Sequence, residues 1–111
     1  MSAYLIALIT PHNLDWLEAY QANVPKIIES YGGTYVALPE PTPGAVLVVE
    51  GEATAPASMV LFSFPSVQAI TDFMESSEYQ PYRRARNAAT ESIFYAFAND
   101  DTAPKFLAKN S

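Results

Sequence analysis

The sequence predicts an α+β domain with the ferredoxin-like βαββαβ order, and it predicts that this domain pairs with a copy of itself. Half of the 111 residues are hydrophobic, so the chain is long and apolar enough to form the core of one domain. The spacing of apolar residues changes between the strand period and the helix period in the order strand, helix, strand, strand, helix, strand. Three of these strands are apolar on both faces, which indicates that each face is covered.

The first strand is predicted at Tyr4–Thr10. The segment is short, carries β-favouring residues, and is followed by Pro11 and Asn13, which are typical of a turn. Successive side chains of a strand point to opposite faces, and both sets are apolar here. One face carries Tyr4, Ile6 and Leu8, and the other carries Leu5, Ala7 and Ile9.

The first helix is predicted to follow from Leu14, where apolar residues lie three or four positions apart. Asn13 is the expected N-cap, and Gly32 and Gly33 are expected to end the helix because glycine accepts the left-handed conformation common there. Pro25 removes a backbone donor, so we expect the helix to kink or divide at this residue. The apolar stripe comprises Leu14, Leu17, Tyr20, Val24, Ile27, Ile28 and Tyr31.

The middle of the chain contains two further strands joined by a long connection. They are predicted at Thr34–Leu38 and Ser58–Phe64. Between them, three prolines in Pro39–Gly44 oppose regular strand pairing, and Ala45–Glu50 is an extended apolar run. The third strand carries Val60, Phe62 and Phe64 on one face and Met59 and Leu61 on the other.

A second helix is predicted from Pro65 to about Glu75, with Ser66 as its N-cap. A further helical segment follows at Tyr79–Thr90, and the last strand is predicted at Ser92–Phe97. The buried stripe of the second helix comprises Val67, Ile70, Phe73 and Met74. We expect residues 1–98 to form the domain and residues 99–111 to be a tail on the surface or on a partner.

The handedness of the two crossovers predicts which face of the sheet is covered. Both should be right-handed, which places the helices on one face. The opposite face is apolar too, and an exposed patch of ~300–600 Å² is already large for a monomer. The sequence therefore predicts a homodimer in which sheet packs against sheet.

The composition argues against several functional classes. The net charge of −6 opposes binding to nucleic acid and to anionic membranes. The chain has no cysteine and one histidine, which disfavours disulfides, thiolate chemistry and metal sites. The four glycines form neither a dinucleotide fingerprint nor a phosphate-binding loop, so no cofactor is expected. The apolar opening segment lacks the flanks of a signal peptide, so a cytoplasmic location is expected.

Several short strings, taken in their order and spacing, resemble one known family. They are Tyr31-Gly32-Gly33, Glu50-Gly51, Phe64-Pro65-Ser66, and Ser77-Glu78-Tyr79-Gln80 followed by Arg86. Together they are similar to the family known as domain of unknown function 1330, in the dimeric α/β-barrel superfamily.

The resemblance implies a four-stranded antiparallel sheet, helices over one face, and a dimer whose sheets form a barrel-like core. It implies no single reaction, because relatives in the superfamily include monooxygenases, isomerases, haem enzymes and ligand binders. The Pro39–Gly44 loop and the segment after Phe97 depart from the family pattern. Those are the places where a pocket would differ.

Three arginines, Arg83, Arg84 and Arg86, supply half of the six basic residues within four positions. A guanidinium binds carboxylate or phosphate through two parallel hydrogen bonds, so one of them is a candidate for holding an acidic ligand. Arg86 is the candidate because it matches the family string. The alternative is that the arginines form surface ion pairs worth ~0–1 kcal/mol each. The possible partners are Asp72, Glu75, Glu78 and Glu91.

Other side chains are candidates for proton transfer or ligand binding. His12 lies on the loop after the first strand, where it is a candidate general acid or base, and the alternative is a solvated side chain. Hydroxyl groups around an apolar cavity suit an aromatic or enone-like ligand, although most of them would equally serve in a core or an interface. The candidate ligand-binding residues are Tyr35, Ser63, Tyr79 and Tyr82.

Three functional hypotheses remain open from the sequence. In the first, a small cofactor-free enzyme converts a small organic acid or cyclic ketone, with Arg86 holding the anionic group and His12 or a tyrosine transferring a proton. In the second, the chain is a ligand-binding or structural dimer without turnover. A third role is an interaction module in which Phe106 and Leu107 of the tail bind a partner.

Overall fold

The computed structural model describes residues 2–39 and 44–99, and its elements occur in the expected order. They are β1 (Ser2–Pro11), α1 (Leu17–Ser30), β2 (Thr34–Ala37), β3 (Ser58–Phe64), α2 (Val67–Glu75), α3 (Gln80–Ala89) and β4 (Thr90–Asn99). The described strands form an antiparallel sheet with the order β2-β3-β1-β4. The α+β ferredoxin-like fold is confirmed.

The register of β1 against its two neighbours defines the two faces of the sheet. On one face, rows across β3, β1 and β4 contain Phe64 with Ala3 and Ala98, Phe62 with Leu5 and Ala96, and Val60 with Ala7 and Phe94. On the other face, the rows contain Ser63 with Tyr4 and Phe97, Leu61 with Ile6 and Tyr95, and Met59 with Leu8 and Ile93. We call this second set the open sheet face.

The core lies between the first face and the helices. It joins buried residues of the sheet to Val24 and Ile28 of α1 and to Ile70 and Phe73 of α2. No helix residue of this core packs on the open sheet face, where Ile93, Tyr95 and Phe97 are about half exposed. The prediction that the helices cover one face only is therefore confirmed within the described residues.

The start of α1 differs from the prediction. The N-cap position is Trp16, without a side-chain cap, so the assignment of Asn13 as N-cap was wrong. The Asn13 carboxamide instead accepts a hydrogen bond from the Asp15 backbone N–H at 3.1 Å, which forms a turn ahead of the helix. Leu14 lies in this turn and is exposed. Pro25 lies inside α1 without dividing it.

The end of α1 is formed by two glycines, as predicted. Gly32 has φ +80° and donates its N–H to the Glu29 carbonyl at 2.9 Å, while Gly33 donates to the Ile28 carbonyl at 2.9 Å. This is the Schellman arrangement, which needs a left-handed residue at the first position. A Cβ atom on Gly33 would lie 2.6 Å from Phe64, so the helix end packs directly on the sheet.

The remaining elements follow the prediction closely. The Ser66 hydroxyl accepts from the Ala69 N–H at 3.0 Å and caps α2, although Val67 of the predicted buried stripe is 38% exposed. The run Ala45–Glu50 forms no strand. Residues 40–43 of the predicted Pro39–Gly44 turn lie outside the described residues. The whole tail beyond Asn99, with Phe106 and Leu107, also lies outside them.

Candidate functional site

A cavity of about 510 Å³ lies between α1 and the helix-facing side of the sheet. Ala7 and Ser58 contribute small side chains to its sheet side, which leaves space beneath the helix. The volume falls in the ~300–1,000 Å³ range of small-molecule pockets. The sheet contributes Ala7, Ile9, Tyr35, Ser58, Val60, Phe62 and Phe94; α1 and the preceding turn contribute Leu14, Trp16, Leu17, Tyr20, Gln21 and Pro25; Pro11, Leu38 and Pro39 complete the lining.

The lining is mainly apolar, and none of the described residues in it is charged. Its polar members are few. The indole N–H of Trp16 already donates to the Asn13 carbonyl at 2.8 Å. Besides Gln21 and Ser58, the polar groups of the lining are the hydroxyls of Tyr20 and Tyr35, which could fix the orientation of a ligand.

Arg86 of α3 lies behind this lining and is only 2% exposed. Its Nη1 donates to the Tyr20 hydroxyl at 3.3 Å and to the Tyr79 hydroxyl, and its Nη2 donates to the Asn87 carboxamide at 3.0 Å. The guanidinium also lies 4.3 Å from the centre of the Phe94 ring, a cation–π contact. Its Nε is buried without a hydrogen-bond partner among the described residues.

Arg86 has no carboxylate partner in the described part of the chain, which is unusual for a buried charge. The ion pair found there joins Arg83 to Glu75 at 3.6 Å on the surface. The surface-pair alternative therefore describes Arg83, whereas the charge of Arg86 is offset by hydroxyl oxygens and an aromatic ring.

The two phenols beside Arg86 are hydrogen-bonded to each other, with 2.6 Å between the Tyr20 and Tyr79 oxygens. Tyr79 is fully buried, and among the described residues its hydroxyl contacts only Tyr20 and Arg86. The Arg86 guanidinium accepts no hydrogen bond, so Tyr20 is the acceptor open to the fully buried Tyr79 hydroxyl among the described residues, and donation in this direction satisfies Tyr79. In this arrangement the Tyr20 proton has no acceptor among the described residues. We call these three residues the arginine–tyrosine network.

Burial keeps the buried phenols in their neutral, hydrogen-donating form. Desolvation raises the pKa of Tyr79 far above its ordinary value, and the neighbouring Tyr20 raises it further, against the opposing charge of Arg86. Burial also raises the pKa of Tyr35 to about 12, with a smaller contribution from Tyr20. Tyr35 lies across the lining with its ring 4.8 Å from that of Phe62.

The structure brings some of the predicted site residues together and leaves others apart. Arg86 and Tyr79 join one network, and Tyr35 lines the cavity. Three candidates belong neither to this network nor to the lining. The His12 side chain is exposed and Ser63 lies on the open sheet face, while Tyr82 packs against the core from α3.

Tyr20 is the functional candidate that the sequence did not single out. It stands on the apolar stripe of α1 and was treated there as a core residue. A buried tyrosine hydroxyl needs a polar partner, which is the signal that could have found it. That signal does not identify the partner, because Tyr79 lies 59 residues away in the chain.

Two features are absent from the described residues. No helix there has the length and apolar character needed to cross a membrane. No group of three or more His, Asp or Glu side chains within residues 2–39 and 44–99 is arranged to hold a metal ion.

Comparison with known proteins gives one family match. A family model described as a domain of unknown function, DUF1330, matches residues 2–99. No curated protein matches the chain.

Solved structures with low sequence identity share the fold. A protein of unknown function from Rhodopseudomonas palustris has a TM-score of 0.71 at 14% identity, covering 90% of this chain and 83% of that chain. SnoaB, a cofactor-independent oxygenase from Streptomyces nogalater, has a TM-score of 0.57 at 17% identity, covering 93% and 97%. A dabb family protein with a ferredoxin-like fold from Mesorhizobium loti has a TM-score of 0.57 at 11% identity, covering 89% and 97%.

Proposed function

The chain belongs to the DUF1330 family, and we propose that it binds a small organic acid or cyclic ketone in the cavity beneath α1. The observation that carries the proposal is the arginine–tyrosine network, in which the Tyr20 proton has no acceptor among the described residues at the wall of an apolar cavity. An unpaired donor in such a place favours a ligand that supplies an oxygen acceptor.

The rest of the lining suits the apolar body of such a ligand. Trp16, Tyr35, Phe62 and Phe94 present aromatic rings to the cavity, and these favour a flat ring system. The ligand's carbonyl or carboxylate oxygen would accept from Tyr20. Arg86 then acts behind Tyr20 rather than as the direct contact predicted from the sequence.

The same donor supports a cofactor-free conversion, because a hydroxyl placed at a carbonyl oxygen stabilises the negative charge that develops when the ligand enolises. The fold is shared with an enzyme described as a cofactor-independent oxygenase. The non-catalytic alternative is favoured by a different observation. No carboxylate or histidine among the described residues lines the cavity to act as a base.

Thermal shifts against a panel of aromatic and alicyclic acids, each with its matching hydrocarbon, test the ligand proposal. Binding to the native state raises the melting temperature, so we expect shifts with acids in the wild type. Tyr20→Phe should lose most of each shift. Tyr82→Phe, on α3 outside the lining, is the matched control and should retain it. Equal shifts in both variants, or none with any acid, would defeat the proposal.

We also propose that the chain is a homodimer formed through the open sheet face. The three central rows of this face are apolar or aromatic except for Ser63, and Glu91, at the end of the face, is the only charged residue paired along β1. The resemblance to the dimeric α/β-barrel superfamily, in which two sheets form a barrel-like core, favours the same association. Light scattering should give twice the chain mass of 12.1 kDa. A single-chain mass at micromolar concentration would sink the proposal.

A cytoplasmic location and the absence of a cofactor stay predictions from the sequence. So does the role of His12 in proton transfer.

A further inference from the structure

We propose that the cavity binds its ligand in the ionised form and lowers the ligand's pKa, so that acidic phenols and enols are the preferred ligand class. The inference rests on the proposed function, because it concerns the same cavity. The proton lost by the ligand passes to bulk water, and no covalent step is involved.

The charge of Arg86 has no counter-charge among its described partners. Its guanidinium is almost fully buried, and its described partners are neutral: two phenols, a carboxamide and an aromatic ring. A buried cation without an anion is costly, because little water remains to solvate it. An anionic ligand nearby would supply the missing counter-charge.

Hydrogen bonds through Tyr20 connect this charge to the cavity. Arg86 donates to the Tyr20 oxygen, and Tyr79 donates to the same oxygen. A hydroxyl that accepts from a cation becomes a stronger donor, because hydrogen bonds in a chain polarise one another. Tyr20 therefore offers the cavity a strengthened donor, which interacts more favourably with a phenolate or enolate oxygen than with a neutral hydroxyl.

The charged and titratable groups around the cavity determine how the pKa of a bound acid changes. Tyr20 of α1 and Tyr35 of β2 line the cavity. Tyr79, at the start of α3, and Arg86, in its last turn, lie behind the lining. The parts of β1, β3 and β4 in the lining contribute apolar side chains and Ser58. An apolar cavity alone raises the pKa of a bound acid, whereas a buried cation lowers it. Because the described lining contains no acidic group, we expect the charge of Arg86 to dominate and to lower the pKa of the bound acid.

The probe is 4-nitrophenol, whose phenol and phenolate forms absorb at different wavelengths, and the control ligand is 4-nitroanisole, which cannot ionise. Absorbance is followed against pH with the full chain in excess over the probe. We expect the bound probe to titrate at least about one pH unit below the free probe, a tenfold preference for phenolate. Tyr20→Phe should abolish most of this shift while leaving 4-nitroanisole binding unchanged. Arg84→Gln, an exposed position on α3, should leave both unchanged.

The outcomes separate this inference from the function on which it rests. Binding of both probes with an unchanged or raised pKa of 4-nitrophenol overturns the inference and leaves ligand binding in place. A full shift retained in Tyr20→Phe overturns it too, because the connection through Tyr20 would then be wrong. Failure of both probes to bind overturns the inference together with the proposed function.

Discussion

Arg86 lies in the last turn of α3, and the chain passes from there directly into β4, whose Phe94 lies against its guanidinium. The side chain therefore points under the helices rather than to solvent. Its removal would leave a void and would deprive the buried Tyr79 hydroxyl and the half-buried Tyr20 hydroxyl of a donor. Both effects are costly in an interior that packs densely.

We predict that Arg86→Ala lowers the free energy of unfolding by about 2–4 kcal/mol, since it creates a cavity and breaks a buried network. Arg84→Ala, an exposed position on the same helix, should change it by less than about 0.5 kcal/mol. Urea unfolding of both variants measures the difference. Equal stabilities would show that Arg86 is not buried as described. For the same reason, ligand shifts in an Arg86 variant must be referred to that variant's own melting temperature.

We predict that the chain loses stability at alkaline pH because the pKa of Tyr35 is raised in the folded state. In the folded chain the pKa of Tyr35 is raised from 10.0 to about 12, so the folded state holds its proton more tightly than the unfolded state. The resulting stabilisation is present below pH 10 and is lost as pH rises through about 12. Tyr35→Phe should flatten the fall in unfolding free energy measured across this range. A fall of the same size in Tyr35→Phe and in the wild type would contradict this prediction.

At the scale of single elements, caps decide where the helices begin and end. Ser66 and the glycine pair of α1 were predicted correctly because each uses a local hydrogen bond that depends on residue type. Asn13 has the right residue type for a cap, yet it forms a turn ahead of the helix. Local sequence alone does not distinguish these two uses of an asparagine side chain.

We predict that Ser66→Ala lowers the free energy of unfolding by about 0.5–2 kcal/mol, because the Ala69 N–H loses its acceptor. Ser77→Ala, an exposed position in the turn after α2, is the matched control. Thermal or urea unfolding measures both. A similar loss in the two variants would argue against capping by Ser66.

At the scale of the whole molecule, the sequence predicted the fold well and the site only in part. Strand alternation and helix periodicity are local patterns, and they were sufficient for the sheet and its helices. Convergence of Tyr20, Tyr79 and Arg86 is a tertiary event that joins α1 to α3. Ser63 was placed near a pocket because of its residue type, but the alternation of β3 directs it to the open sheet face.

A substitution on the open sheet face should break the proposed dimer. Tyr95 is 57% exposed in the single chain and lies in the row with Leu61 and Ile6. We expect Tyr95→Glu to halve the mass measured by light scattering, because it would place a charge inside an apolar interface. Ala85→Glu, exposed on α3, should leave the mass unchanged. A dimer that survives Tyr95→Glu at low micromolar concentration would contradict association through this face.

Binding of a small organic acid through Tyr20, in the cavity beneath α1, can be measured with the chain's own fluorescence. The chain has one tryptophan, Trp16, which lines this cavity and lies edge-on to Tyr20 with 5.3 Å between ring centres. Its fluorescence is therefore a direct reporter of occupancy. The most direct test is a titration of Trp16 emission with an aromatic acid in the wild type and in Tyr20→Phe. We expect a saturable change in the wild type and at least about tenfold weaker affinity in the variant, which corresponds to the loss of one strong hydrogen bond. A wild type that gives no saturable change, or a variant that binds equally well, would contradict this expectation.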